Sequence, residues 1–280
     1  MISKILRYGS DFHLEMMPNI LHPKLVPYWD FKTGSNTKYY LALVGDIGNP
    51  YNTNLCNFFD KISDKYEKIF YVPGNHEYYN LAKLNFTKEQ FDDELRKICD
   101  NYENVVLLNN QTYMLDNIKI IGSTLWSNVP ATSADTISRY MNDYHLIKTL
   151  NGNITVEDTN KWNKESVQFI ENEIISAKNP CGVLTIVLTH HAPLFSDNKN
   201  YTADPIYSDS PYKYGFHNDL KYLMKKPVAV WLYGHTHYCS KFMSNNVIVA
   251  TNQLGYSHEK GLNFDSYAHI NLNKLVLNNL

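Results

Sequence analysis

Five apolar runs along the chain end in polar residues, and every end carries oxygen or imidazole side chains. "SKILRYGSDFH" runs out at Asp11 and His13, "KYYLALVGDIGN" at Asp46 and Asn49, and "KIFYVPGNHE" at Asn75, His76 and Glu77. "VLTIVLTHHAP" ends at His190 and His191, and "VAVWLYGHTHY" at His235 and His237. Continuous apolar runs of this length predict strands buried on both faces. Further strands are expected at 105–108, 118–122, 247–251 and 266–272. Between them, apolar spacing of three and four predicts helices over 53–65 and 87–100, the second with a capping box of Thr87 and Gln90. A longer helix is expected over 156–178. Strand and helix alternate, which predicts an α/β protein. In such folds ligands sit beyond the carboxyl ends of the strands, and all five polar clusters lie there. The stretch 192–216, rich in Asp, Ser, Tyr and Pro, breaks the alternation and reads as a long loop.

Composition narrows the class. The chain has 280 residues, 44% hydrophobic and 19% charged, which suits a globular protein with a sizeable core. No internal repeat or linker divides it, so a single domain over 1–280 is expected. A net charge of −2 gives no overall basic field. Nucleic acid is therefore an open but unindicated partner, and the mild acidity disfavours a long one. Cys56, Cys99, Cys181 and Cys239 are scattered without a framework, as in a reduced intracellular protein. The first residues lack a signal-peptide pattern, and no run approaches the roughly 18 apolar residues of a membrane span. A cytoplasmic protein with no membrane partner is expected. Oligomeric state is not bounded.

Each polar cluster alone reads as an ordinary turn. Together they offer Asp11, His13, Asp46, Asn75, His190, His235 and His237, with no thiolate required. Imidazole and carboxylate suit Mn, Fe, Zn, Ni or Co. Seven ligands are too many for one ion and suit two that share a bridge. Two ions roughly 3.5–4 Å apart form a clamp for in-line phosphoryl displacement.

The order "DFH", "GDIGN", "GNHE", "THH", "GHTH" resembles the calcineurin-like metallophosphoesterase superfamily, from the first strand to about residue 256. "GSTLWSN", "MNDYHLIK" and "NQLGY" are similar to one subgroup of small soluble members. The resemblance implies a two-sheet α/β/β/α sandwich with the active site at the C-terminal strand ends. It implies Asp11, His13 and His237 as ligands of a first metal, Asp46 as the bridge, and Asn75, His235 and one histidine of "THH" as ligands of a second. Alternation along a strand allows one of His190 and His191 to face the metal, and His190 is the choice. His76 would be a non-ligand that binds phosphoryl oxygens and protonates the leaving oxygen. Two divalent ions follow, Mn²⁺ first, with Fe, Zn, Ni, Co or Mg as alternatives. The implied reaction is phosphoester hydrolysis by a hydroxide bridging the ions, on a small molecule or nucleotide, diester or monoester. A non-catalytic metal-binding scaffold is the rival reading, which the complete ligand set disfavours.

Two residues keep two readings each. Glu77 would orient a ligand imidazole or start a helix. Asn49 would contact phosphate or cap the helix after Pro50. Specificity is expected from 192–216, through Tyr201, Tyr207, Tyr212 and Tyr214, and from 126–144, through Trp126, Asn142 and Tyr144.

Overall fold

The structure, a computed structural model, describes residues 2–82, 84–177, 183–259 and 262–277. Cys181 and the end of the helix expected to reach 178 lie outside them. Counting only the strands of the two main sheets, the chain runs β1 (Ser3–Gly9), β2 (Thr37–Val44), β3 (Lys68–Val72), β4 (Val105–Leu107), β5 (Gln111–Leu115), β6 (Ile118–Ser123), β7 (Leu184–Thr189), β8 (Val228–Tyr233), β9 (Lys241–Ser244), β10 (Val247–Thr251) and β11 (His269–Asn271). The helices are α1 (Thr53–Ile62), α2 (Lys88–Asp100), α3 (Ala131–Tyr140), α4 (Asp143–Leu146), α5 (Val156–Ser176) and α6 (Leu272–Leu277). One sheet has the order β11-β1-β2-β3-β4 and the other β9-β10-β8-β7-β6-β5. The central strands of both are parallel, and β11, β5 and β9 pair antiparallel at the edges.

Strand alternation divides the side chains between three cores. Leu6, Ala42, Val44, Phe70 and Val72 of the first sheet meet Ile186, Leu188, Val230 and Leu232 of the second. On the outer face of the first sheet, Leu41, Leu43, Ile69 and Tyr71 pack against Leu55, Phe58 and Phe59 of α1 and Phe91 and Leu95 of α2. On the outer face of the second, Val187, Trp231 and Val249 pack against Ile170 and Ile174 of α5. The result is the expected α/β/β/α sandwich. Because both faces of β2, β3, β7 and β8 are covered, their sequences read as unbroken apolar runs.

Local signals hold at the helix starts. Thr87 Oγ1 accepts from Gln90 N at 3.4 Å while Gln90 Oε1 accepts from Thr87 N at 2.8 Å. Thr155 and Asp158 repeat the device at α5. The helix expected over 53–65 ends at Ile62 and tightens into a 3-10 turn over Ser63–Lys65. The strand expected over 266–272 shrinks to His269–Asn271. Asp265 holds a turn before it, accepting from Tyr267 N and Ala268 N, and Leu272 opens α6 after it. The stretch 192–216 carries a hairpin of Ser196–Asp197 with Asn200–Tyr201 and 3-10 turns over Pro205–Tyr207 and Pro211–Gly215.

Candidate metal centre

The strand ends turn sharply. Asp11, His13, Asp46, His235 and His237 have φ of 55°, 48°, 54°, 70° and 48°. Left-handed backbone at non-glycine residues costs on the order of 1–3 kcal/mol each, and persists where the surroundings over-determine it. Here the loops are tied to one another across the two sheets. Asp11 N donates to Gly45 O at 3.0 Å, His13 N to Asp46 O at 2.9 Å and Gly234 N to His190 O at 2.9 Å. His235 N donates to Asp11 Oδ1 at 3.0 Å. Two glycines allow the approach. A Cβ at Gly45 would overlap the His190 ring, and one at Gly74 would overlap Asp46 Oδ1.

Asp46 stands in the middle. Its Oδ2 lies 4.0 Å from His13 Nε2, and its Oδ1 lies 3.3 Å from His190 Nε2. On the first side, His13 Nε2 lies 3.0 Å from His237 Nε2, and His237 Nε2 lies 3.4 Å from Asp11 Oδ1. On the second side, His190 Nε2 lies 2.9 Å from Asn75 Oδ1. His235 joins Asp46 and His190 there, and with its Nε2 held 3.1 Å from Gly215 O, Nδ1 is the ring atom free to face them. His76 borders the centre, with Nε2 4.0 Å from Asp46 Oδ2. All eight expected site residues are thus brought to one place. His190 Nδ1 lies 3.0 Å from Val44 O, which leaves Nε2 for the centre. His191 turns the other way: its Nδ1 lies 3.2 Å from Thr124 O, and its ring packs between Trp126 and His235.

A supporting layer surrounds these groups, and much of it is not evident from the motifs. Glu15 Oε1 lies 3.1 Å from His76 Nδ1 and 3.5 Å from His13 Nδ1. Glu259 Oε2 lies 2.7 Å from His237 Nδ1. Asn75 Nδ2 donates to Asp143 Oδ1 at 2.7 Å, and Tyr79 Oη donates to the same oxygen. The Tyr256 ring lies against His13 and His237, and its hydroxyl is 3.0 Å from His76 Nε2.

Glu77 stands in the first turn of a 3-10 helix over His76–Tyr78, but it orients no ligand imidazole. Its carboxylate accepts from the backbone N–H of Asp46, Ile47, Gly48 and Gly74 and from the Tyr71 hydroxyl, which clamps two strand-end loops together. Asn49 likewise holds the Tyr79 carbonyl and accepts from Tyr51 N, and Asn52 caps α1 in its place.

The buried carboxylates and imidazoles shift one another. Burial opposes ionisation of Asp46, but His190 and His76 outweigh it and hold the carboxyl well below its ordinary value. Burial also opposes charge on His190, yet Asp46 raises it to about 9. His237 is raised to about 10, with Asp11 and Glu259 overcoming burial. His191, buried and beside His190, is pushed down to about 3. Protons compete with metals for such imidazoles. The donor set fits divalent ions: three clusters each bring ligand atoms within 4.8 Å of one another.

A cleft of about 410 Å³ opens onto the centre, lined by Asp46, Asn75, His76, Asn142, Tyr207 and Tyr212. Of the expected specificity residues, these last three face it. Trp126 and Tyr144 are core residues, Tyr201 packs on Phe195, and Tyr214 stacks on His217.

A two-sheet sandwich that gathers Asp, Asn and His at one set of strand ends defines a metallohydrolase. The family model for calcineurin-like phosphoesterases matches residues 10–239, and the chain belongs to that family. Membership implies metal-dependent phosphoester hydrolysis. The chain is 52% identical over 284 residues to the uncharacterized protein L509 of Acanthamoeba polyphaga mimivirus, covering 99% of this chain and 100% of that one. The crystal structure of the phosphopantetheinyl hydrolase PptH from Mycobacterium tuberculosis shares the fold, with a TM-score of 0.66 at 16% identity over 93% of this chain and 94% of that one. Among the described residues no helix is long and apolar enough to cross a membrane.

Proposed function

We propose that the protein is a dinuclear phosphoesterase acting on small phosphoesters or nucleotides. Asp11, His13 and His237 would hold one ion, Asn75, His190 and His235 the other, and Asp46 both. The carrying observation is the position of Asp46, whose two oxygens face two separate sets of imidazoles. When bound, two divalent ions polarise the phosphoryl group and lower the pKa of water toward neutrality. Manganese is the first candidate, with Fe, Zn, Ni, Co or Mg as alternatives that the same imidazole, carboxylate and carboxamide donors suit. A single catalytic unit over 1–280 belongs to the proposal, supported by the pairing of β11 with β1.

The chain's own residues divide the remaining work. Asn75 brings a neutral oxygen, which limits the negative charge facing a phosphate. Glu15 fixes the His76 ring through Nδ1, so Nε2 presents a proton to the leaving oxygen. Burial opposes that proton, but Asp46, Glu15 and Asp143 hold the His76 pKa above its ordinary value, as a donor needs. To receive it, the leaving oxygen takes the position of the Tyr256 hydroxyl against Nε2. No serine or cysteine nucleophile is needed.

The test is metal analysis with turnover of bis(p-nitrophenyl) phosphate and p-nitrophenyl phosphate in Mn, Mg, Zn and Ni. About two ions per chain and turnover in at least one metal are expected. No bound metal and no turnover in any of the four would overturn the proposal.

A further inference from the structure

A second cavity, of about 640 Å³, adjoins the metal cleft, and His76, Tyr79, Asn142, Tyr256 and Glu259 line both. It lies between the segment that follows "DFH" and the loop around Tyr256. The larger part of its wall is apolar, from Met16, Met17, Leu21, Leu81, Leu146 and Leu254. Met16 and Leu21 are 54% and 63% exposed, so the fold leaves these side chains facing solvent rather than a core. Flexible methionines fit their surface to varied apolar shapes. A cavity of this size and lining suits a small organic ligand.

Its polar groups are not balanced. Lys24 and His22 line it, and the Lys24 ammonium has no acidic partner among the described residues, only the Phe264 ring at 5.9 Å. Among the described residues the wall carries one carboxylate, Glu259, which is engaged by His237. The cavity thus joins an apolar bed to an unpaired cation.

His76 links this cavity to the reaction. If it protonates the leaving oxygen, the alcohol that departs lies on the His76 side of the phosphorus. We infer that the cavity binds the leaving arm of the substrate, and that this arm is an apolar chain or ring bearing a second anionic group for Lys24. The inference rests on the phosphoesterase reading above. The substrate class is a phosphoester of a large, amphipathic, anion-tipped alcohol.

The test is a series of methyl alkyl phosphates from dimethyl to methyl octyl, with a methyl 8-phosphonooctyl ester, assayed beside bis(p-nitrophenyl) phosphate. The value of kcat/KM should rise about two- to fourfold per added methylene until the cavity is filled. The phosphonate tip should raise it about tenfold further. Lys24→Glu should erase the gain from the tip while keeping the rise with chain length. Leu21→Asp should flatten the rise with chain length. A flat series in the unmodified enzyme, with bis(p-nitrophenyl) phosphate still hydrolysed, would overturn the inference alone. No hydrolysis of any diester or monoester in any metal would instead remove the reading beneath it.

Discussion

Asn75 donates its amide to Asp143 Oδ1 at 2.7 Å, which turns its own carbonyl oxygen to within 2.9 Å of His190 Nε2. An acceptor on one side of a carboxamide decides which end faces the other side. Asp143, 68 residues away, therefore orients a proposed metal ligand. Loss of such partners commonly weakens metal binding about 10- to 100-fold. Asp143→Ala should lower metal affinity by that order, seen as loss of about one of two ions on dialysis against a weak chelator. Retention of both would remove Asp143 from the site.

The adjacent histidines make a paired test. His190→Ala should abolish binding at the Asn75 side, because its Nε2 faces Asp46 and Asn75. His191→Ala should keep the metal content and mainly cost stability, because that ring bonds Thr124 O and packs on Trp126. Elemental analysis separates the two, and the reverse order would exchange their roles.

His76→Ala should keep near-normal metal content and lose roughly 10²–10⁴-fold in rate on an alkyl ester, where the leaving oxygen needs a proton. The loss should be much smaller with nitrophenolate. Equal losses on both would leave His76 an electrostatic role only.

Glu77 is fully buried and accepts from four backbone N–H groups and one hydroxyl. Each donor stranded in the interior costs about 1–3 kcal/mol. Glu77→Ala should lower the stability of the metal-free protein by at least ~3 kcal/mol in denaturant unfolding. A change below about 1 kcal/mol would show that water replaces the clamp.

Those four cases also show what a sequence can carry. The doubly covered strands β2, β3, β7 and β8 stand out because burial on both faces leaves little polar alternation, and their motifs begin within three residues of the strand ends. The edge strand β9, "KFMS", does not, since one face and one edge meet solvent and its four residues carry no clear period. Helix α3, "ATSADTISRY", buries only Ser133 and Ile137 and so lacks an apolar stripe. Asp143 and Glu259 are single acids whose partners sit far along the chain or across a loop, which spacing does not reveal. Glu15 lies two residues past His13, yet an acid there looks like any surface acid until its side chain is seen buried between two imidazoles. Glu77 keeps two readings within "GNHE", because three of its four backbone partners belong to a loop about 30 residues earlier.

Tyr207 and Tyr212 line the metal cleft, and their loop is tied to the site by the Thr236 hydroxyl donating to Thr202 O. Point changes leave that tie in place. Tyr207→Ala and Tyr212→Ala should reorder a panel of nucleotide substrates while leaving a small diester within about tenfold. Stacking on a base by an aromatic ring is worth about 1–3 kcal/mol, enough to change such an order. A uniform fall across the panel would mark both rings as structural.

The central claim is that Asp46 bridges two ions. Anomalous diffraction from crystals saturated with Mn²⁺ tests it most directly. The account predicts two peaks roughly 3.5–4 Å apart, one on the His13 and His237 side of Asp46 and one on the Asn75, His190 and His235 side. A single peak at saturation, or two peaks without Asp46 between them, would contradict it.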